Sequence, residues 1–468
     1  MMLINTRRDF LKIGLRTFGS IGAASVVGKL SQVNALAQSG CPTDYKALVC
    51  IFLFGGVDMN NVVIPINTPA SNANNSYANY AKIRGGLALA QSDLNQINTS
   101  KGDSYGLHPG LPELAALYNT GSAGSGKVAI LANVGTLVDP LTQAQYVGAQ
   151  KPIPLNLFSH LDQQTAMQTS IAQGFATTGW GGRLADAMQG CNAGQFPMIV
   201  SVGGNALFNN GAQTNPAAVT PGATLGLAGF TTSAANAARL SALGNLLNFD
   251  NSFTMVGSAN EISANGINQA GLLTSALASG KALATKFPAT QLGGEMAQIA
   301  NIINVRSALG VNRQIFFAFL GGFDTHDAEL TTQTTLLPQV SQAMSAFYAA
   351  TQEMGVNNDV VTFTESDFSR TFQPSGGATL GTDHAWGSHH FIMGGSVKGG
   401  DIYGSFPTQG LGPANSPNDA NTRGIWIPTT SLDQYGAALA TWFGVNPAQL
   451  STVFPNLQNF TNPLPAFV

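Results

Sequence analysis

Acidic and imidazole side chains are concentrated in residues 313–404, a stretch that holds four of the six histidines of the chain. One apolar run ends just before Asp324 and His326, a second ends just before Asp367, and Asp383 and His384 follow a glycine-threonine pair. Carboxylate oxygens and neutral imidazoles are ligands of zinc, manganese and related ions, and a mixed set can hold two metals. Because only 9% of the residues are charged, this concentration predicts a divalent metal site.

Three other residues are candidates for the same site. Asp58 lies just past the first apolar run of the mature chain, where an acid at the carboxyl end of a strand would join the site, but a helix-capping or turn role fits it equally well. Arg370 could pair with a substrate anion or form a salt bridge with one of the acids. Arg183 is a second candidate anion contact, and a place on a surface helix explains it as well.

A possible nucleophile precedes a predicted helix. Ser159 and Asp162 fit a helix-capping pattern, which needs no catalysis. A hydroxyl at a helix N-terminus also feels the positive end of the helix dipole, where it could attack or hold an anionic group. Both roles remain open for Ser159.

Apolar runs bounded by glycine and polar residues are predicted to be the strands that position these groups. Such runs are typical of strands buried on both faces in a parallel sheet flanked by helices. Residues 337–354 are expected to form a crossover helix between the two site-bearing strands, and residues 432–443 a closing helix. The strands are predicted at residues 47–54, 127–134, 196–202, 313–320 and 359–364.

The chain is predicted to have an export leader and one main domain. Residues 1–37 carry the pair Arg7 and Arg8, a short weakly apolar segment and a small-x-small cleavage pattern, all typical of a twin-arginine signal peptide. We therefore expect the twin-arginine translocation machinery as a partner and a periplasmic or extracellular location. Residues 38–468 are expected to form the domain, with an irregular insertion or cap at about 203–257.

Charge and hydropathy exclude two classes of function. The leader holds five basic residues and one acidic residue, which leaves 15 basic against 22 acidic residues in the mature chain. Nucleic-acid binding therefore lacks its electrostatic basis. The leader segment is too short and too rich in glycine and serine to span a bilayer, and no other apolar run approaches the length of a membrane span. A membrane-spanning protein is therefore not predicted.

The three cysteines permit one disulfide in an oxidising compartment. Cys41 and Cys191 are the preferred pair, because Cys50 lies inside a predicted buried strand. No Cys-x-x-Cys pair is present in the sequence, so a thiolate zinc site is not expected.

The order and content of several segments resemble the bacterial family called domain of unknown function 1501, over nearly the whole mature chain. That family is related to the alkaline phosphatase and sulfatase superfamily. The resemblance implies an alkaline-phosphatase-like α/β/α sandwich around a mostly parallel sheet, with two divalent ions, zinc or manganese. The matching segments are the leader, residues 55–58, 159–160, 179–180, 322–326, 367–371 and 381–384, and the tail at 435–460.

The resemblance also implies roles for individual residues. Ser159 resembles the nucleophile, Arg370 would steady the anion, and Arg183 and His160 are expected to contact the substrate. The metal ligands implied are Asp58, Asp324, His326, Asp367, Asp383 and His384. The predicted function is an exported metal-dependent hydrolase of a phosphate or sulfate ester or a related small anion. The alternative is a non-catalytic envelope or surface-binding protein that keeps the fold with a vestigial site.

Overall fold

A computed structural model describes residues 41–72, 74–122, 124–222, 233–249 and 253–468. The predicted leader lies outside the described residues, as do residues 223–232 and 250–252 of the predicted insertion. Nothing in the structure tests the proposed domain boundaries, which stay a prediction.

The main sheet is mixed and mostly parallel, and it has nine strands among the described residues. Its order is β13-β5-β12-β9-β1-β8-β6-β7, with β14 paired to β5, and only β12 runs antiparallel to its neighbours. Smaller sheets have the orders β2-β4-β3 and β10-β11. The strands are β1 Lys46–Leu53, β2 Val63–Asn67, β3 Asn95–Asn98, β4 Ser104–Leu107, β5 Val128–Gly135, β6 Ile199–Ser201, β7 Ala217–Ala218, β8 Arg313–Leu320, β9 Val360–Ser366, β10 Ser375–Gly376, β11 Leu380–Gly381, β12 Ser388–Met393, β13 Ile402–Gly404 and β14 Thr430–Ser431.

Helices cover both faces of this sheet. They are α1 Tyr77–Arg84, α2 Pro112–Tyr118, α3 Gln143–Val147, α4 His160–Thr169, α5 Trp180–Ala187, α6 Ala234–Leu247, α7 Thr254–Ser279, α8 Gln291–Asn304, α9 Arg306–Leu309, α10 Glu329–Glu353, α11 Leu432–Phe443 and α12 Leu450–Val453. Within the described ranges, no helix has the length and apolar character needed to cross a membrane.

Strand β1 shows why the molecule has three layers. Successive side chains of a strand point to opposite faces. Val49 and Ile51 belong to one apolar core, which includes side chains of α2, α8 and α10, whereas Cys50 and Phe52 belong to another, which includes side chains of α5 and α11. The run is apolar at every position because both faces of the strand are buried. The predicted α/β/α sandwich around a mostly parallel sheet is confirmed.

Two details of the sequence interpretation are resolved by the structure. The crossover helix α10 starts at Glu329, eight residues earlier than expected, and continues through Pro338. Proline is disfavoured inside helices, so the apolar pattern alone suggests the later start. Cys41 and Cys191 form a disulfide, as predicted, and Cys50 is a buried free thiol.

Candidate metal centre

The carboxyl ends of three adjacent parallel strands carry the candidate ligands. Asp324 and His326 follow β8, Asp367 follows β9, and β1 lies between these two strands. Two glycines allow the ligand loops to approach each other. A Cβ on Gly55, whose φ is +112°, would lie 2.4 Å from the backbone nitrogen of Asp324, and one on Gly381 would lie 2.2 Å from the carbonyl carbon of His326.

Three imidazoles converge on one carboxylate oxygen. The Nε2 atoms of His160, His326 and His384 lie 3.4, 3.2 and 3.5 Å from Oδ1 of Asp324. The Nε2 atoms of His326 and His384 are 2.9 Å apart. His160, Asp324 and His384 form a group whose potential ligand atoms all lie within 4.8 Å of one another, and this group could hold a metal ion.

The other ring nitrogen of each imidazole faces an oxygen. Nδ1 of His160 lies 2.7 Å from Oδ2 of Asp367, and Nδ1 of His326 lies 3.3 Å from Oδ1 of Asp383. Nδ1 of His384 lies 2.6 Å from the carbonyl oxygen of Phe158. A carbonyl oxygen only accepts, so Nδ1 of His384 carries the proton and Nε2 of the neutral ring presents its lone pair to the cluster.

His160, Asp324 and His384 fit three ligands of a tetrahedral metal ion, whereas His326 lies outside this group and its Nε2 is closer to His384 than two ligands of one ion would be. Zinc bonds to nitrogen and oxygen are about 2.0–2.2 Å, which places adjacent ligand atoms roughly 3.3–3.5 Å apart. The three nitrogen-to-oxygen distances around Asp324 fall in or next to this range. Nε2 of His160 is buried without a hydrogen-bond partner. The buried, unpartnered Nε2 of His160 lies near the carboxylate of Asp324 and the Nε2 lone pair of His384, and a metal ion bound to all three would give it a partner.

Local electrostatics prepare the ligands differently. Burial disfavours the charge on Asp324, but the hydrogen bond and charge of Arg370 outweigh it and lower the pKa of this carboxyl to about 2. The hydrogen bond to Asp367 raises the pKa of His160, whereas burial lowers the pKa of His384. Asp324 is therefore ionised, and a metal at His160 would compete with a proton.

Arg370 supports the centre from inside the protein. Its side chain is fully buried and donates to the carbonyl oxygens of Gly55, Gly56 and Thr382 as well as to Asp324. The structure therefore places it in the salt bridge that the sequence left open as its alternative role. Its guanidinium fixes Asp324 against the loops that follow β1 and β9.

Arg183 does not reach the cluster. Its guanidinium donates to the backbone carbonyl oxygens of Thr169, Thr178 and Val453. These bonds tie α5 to α4 and α12, a structural role.

Asp58 is a buried side chain outside the cluster. It forms a buried ion pair with Arg84, and Arg84 also contacts Glu329 at 2.9 Å. Glu329 in turn accepts hydrogen bonds from Thr325 and Thr382, which adjoin the ligand residues of the two loops. This buried network holds the two loops together rather than adding Asp58 to the cluster.

Ser159 caps α4, and its Oγ accepts a hydrogen bond from the backbone nitrogen of Asp162 at 3.4 Å. Its two chain neighbours, Phe158 and His160, both contact the cluster. His384 therefore lies against the start of the helix that Ser159 caps.

Two site residues were missed by the sequence interpretation. Gln164 donates to Oδ2 of Asp367 at 2.8 Å, and its position four residues after His160 on one helix face was a usable signal. Arg423 donates to Oδ2 of Asp383 at 2.7 Å, and its side chain is 36% exposed. Arg423 lies in a loop of turn residues, where the sequence pattern gave no signal for it.

The remaining histidine pair is buried elsewhere in the sheet. Asn133 donates its backbone N–H to Nδ1 of His389, and His390 stacks on Tyr435. Burial lowers the pKa of both imidazoles to about 3. His389 and His390 are therefore neutral core residues.

A family model described as "Protein of unknown function (DUF1501)" matches residues 45–422. This match covers most of the chain, which therefore belongs to the DUF1501 family. A comparison with curated proteins finds no match.

Solved structures that the chain is similar to include a sulfatase and an alkaline phosphatase. The structure of Ps i-CgsB in complex with k-i-k-neocarrahexaose matches with a TM-score of 0.35 and 8% identity, over 89% of this chain and 77% of that one. The PsFucS1 sulfatase from Pseudoalteromonas sp. matches with a TM-score of 0.29 and 9% identity, over 79% and 68% of the two chains. A variant of the alkaline phosphatase PafA matches with a TM-score of 0.27 and 11% identity, over 71% and 64%. These likenesses concern the fold alone.

Proposed function

We propose that this member of the DUF1501 family is an exported, metal-dependent hydrolase of a small phosphate or sulfate ester. The observation that carries the proposal is the convergence of three imidazole Nε2 atoms on Oδ1 of Asp324 at ligand spacing. Export is supported by the paired arginines of the leader and by the Cys41–Cys191 disulfide, which suits an oxidising compartment.

One zinc ion is the proposed cofactor, held by His160, Asp324 and His384, with the fourth position left open for water or substrate. A mixed imidazole and carboxylate set suits zinc, and manganese favours more oxygen ligands. The resemblance implied two ions, but Asp58 and Asp383 are paired with arginines. Metal analysis of the mature protein counts the ions directly.

The anionic substrate is inferred from charge next to the cluster. Arg423 is more than a third exposed and is bound to Asp383, a neighbour of His384. Its remaining N–H groups could hold a phosphoryl or sulfuryl oxygen. The open side of the cluster is formed by Asp324 and His326, whose side chains are 48% and 49% exposed, so a small ester could approach from solvent.

Ser159 is the proposed nucleophile. Its hydroxyl lies at the N-terminus of α4, where the helix dipole favours the negative charge that develops on attack. A bound divalent ion would supply the positive charge that lowers the pKa of a hydroxyl or water and stabilises the leaving oxygen. Asp367 would hold the His160 ring in place, and Arg423 would orient the ester.

The test combines metal analysis with a screen of aryl phosphates and aryl sulfates on the mature protein. We expect stoichiometric zinc in the wild type and in Asp93→Asn, a matched variant of an exposed acid, and loss of zinc and turnover in Asp324→Asn. Ser159→Ala should keep the metal and lose turnover. Metal-free protein after reconstitution with zinc and with manganese would refute the proposal.

A second candidate is a non-catalytic envelope protein with the same metal centre. It is favoured by Ser159, whose Oγ serves the helix cap, and by Arg183 and Arg370, whose N–H groups serve other protein groups. This candidate predicts bound metal without turnover of any ester. Hydrolysis that Ser159→Ala abolishes would exclude it.

A further inference from the structure

A wide cleft lies beside β7, the strand at one end of the main sheet. It has a volume of about 830 Å³ and adjoins a second hollow of about 410 Å³ at the loop that follows β6. One wall is formed by residues 195–219 and the other by one face of α7. The far half of α7 is anchored in the core through Leu273 and Ala276, so the helical wall has a defined position.

The walls of the cleft are lined by uncharged side chains, many of them amides. Among the described residues that line the cleft, none is acidic or basic. Pro197, Pro216 and Ile262 provide apolar surface between the amides. The amides are Gln195, Asn205, Asn210, Asn215, Asn265 and Gln269, and they come from both walls.

These amides are not used to hold the fold together. Within the part of the chain that the structure describes, none of the six side chains makes a hydrogen bond to another protein group. In the wall of the second hollow, Asn209 is 1% exposed, and neither its amide nitrogen nor its amide oxygen has a hydrogen-bond partner among the described residues. A buried amide without hydrogen-bond partners lowers the stability of the folded state, so folding stability alone does not explain an asparagine at position 209.

We propose that this cleft binds a neutral carbohydrate. An amide offers a donor and an acceptor side by side, which matches neighbouring hydroxyl groups on a sugar ring. The proline and isoleucine surfaces suit the C–H faces of the same ring. Nucleic acids and other polyanions would need basic residues, and a lipid would need a continuous apolar wall.

The site is independent of the proposed hydrolase activity. It uses no residue of the metal centre, and its walls lie at the β7 end of the sheet, whereas the metal centre follows the central strands β8 and β9. Carbohydrate binding can therefore be measured in the absence of turnover. Failure of one proposal leaves the other standing.

The experiment is affinity electrophoresis and calorimetry of the mature protein with soluble neutral glycans, namely dextran, xylan, cellohexaose and chitohexaose, and with an uncharged extended peptide. We expect binding to at least one glycan. The double variant Asn265→Ala with Gln269→Ala should bind it about tenfold more weakly, since it removes two sets of hydrogen bonds from an exposed helix face. Gln213→Ala, an exposed amide outside both hollows, should bind like the wild type.

A second variant separates binding from folding. Asn209→Leu removes the unpartnered amide at similar size, so it should keep or raise the melting temperature while weakening glycan binding. A lower melting temperature with unchanged binding would assign Asn209 a structural role and count against the proposal. Absence of binding to every glycan, equal binding by the double variant, or binding of the peptide alone would overturn it.

Discussion

Asp367→Asn is the most informative single change at the metal centre. The carboxylate accepts hydrogen bonds from Nδ1 of His160 at 2.7 Å, from Gln164 at 2.8 Å and from the backbone N–H of Gly55 at 3.2 Å. His160 and Gln164 donate to Oδ2 and Gly55 donates to Oδ1, but an asparagine has an acceptor oxygen at only one of these two positions. If its NH₂ faces His160, the ring must move its proton to Nε2, the atom that would bind the metal. If its oxygen faces His160, the NH₂ meets the N–H of Gly55.

Either arrangement weakens the ligand without removing it. Loss of such an outer hydrogen bond to a ligating histidine typically lowers metal affinity about 10- to 100-fold. This corresponds to roughly 1.4 to 2.7 kcal/mol. The assay is competition for zinc against a chromophoric chelator, with Asp93→Asn as the control for loss of one acidic charge.

The reasoning fails if zinc affinity is unchanged in Asp367→Asn while the protein remains folded. It also fails if the loss of affinity is fully explained by a lower melting temperature of the metal-free protein. A folded variant with weaker zinc binding and an unchanged metal-free melting temperature is the expected result.

Three further predictions concern stability, each measured by urea unfolding against the wild type. Asp58→Asn should cost about 3–5 kcal/mol, because Arg84 loses its charged partner Asp58 and keeps only Glu329, a carboxyl whose pKa is raised by burial. Glu329→Gln should cost less than about 1.5 kcal/mol, because Arg84 keeps its ion pair with Asp58; equal costs would contradict this. Burial raises the pKa of Asp433 to about 7. Its contribution to the free energy of unfolding is therefore full below about pH 4 and falls by roughly 4 kcal/mol as the pH rises through 7. Asp433→Asn should remove this pH-dependent loss, and identical pH profiles of the variant and the wild type would disprove the assignment. Cys41→Ser should lower the free energy of unfolding by about 5 kcal/mol, because the disulfide closes a loop with a sequence separation of 150 residues; an unchanged midpoint would contradict it.

The fold and part of the centre follow from the sequence for a simple physical reason. Strands buried on both faces are apolar at every position, so β1, β8 and β9 stand out, and residues just after parallel strands meet at one edge of the sheet. On this basis the sequence predicts that Asp324 and His326, after β8, and Asp367, after β9, lie at the same edge of the sheet. This prediction uses only the local strand pattern and the parallel arrangement of the sheet, and it requires no knowledge of individual long-range contacts.

Other features depend on contacts that no local pattern encodes. Asp58 follows its strand as expected, but the guanidinium of Arg84, brought in by α1, pairs with it. Arg370 reads as a candidate anion contact, yet the loops around it supply carbonyl oxygens for its N–H groups. Arg423 reaches Asp383 across 40 residues of chain, a distance over which the sequence gives no geometric information.

The central claim is that His160, Asp324 and His384 form a single metal site. Zinc K-edge X-ray absorption on the metal-loaded mature protein tests it most directly. The account predicts a four-coordinate shell with imidazole scattering and bonds of about 2.0–2.2 Å, altered in His384→Ala and unchanged in Asp93→Asn. A six-coordinate shell of oxygen alone, or a spectrum that His384→Ala leaves unchanged, would contradict it.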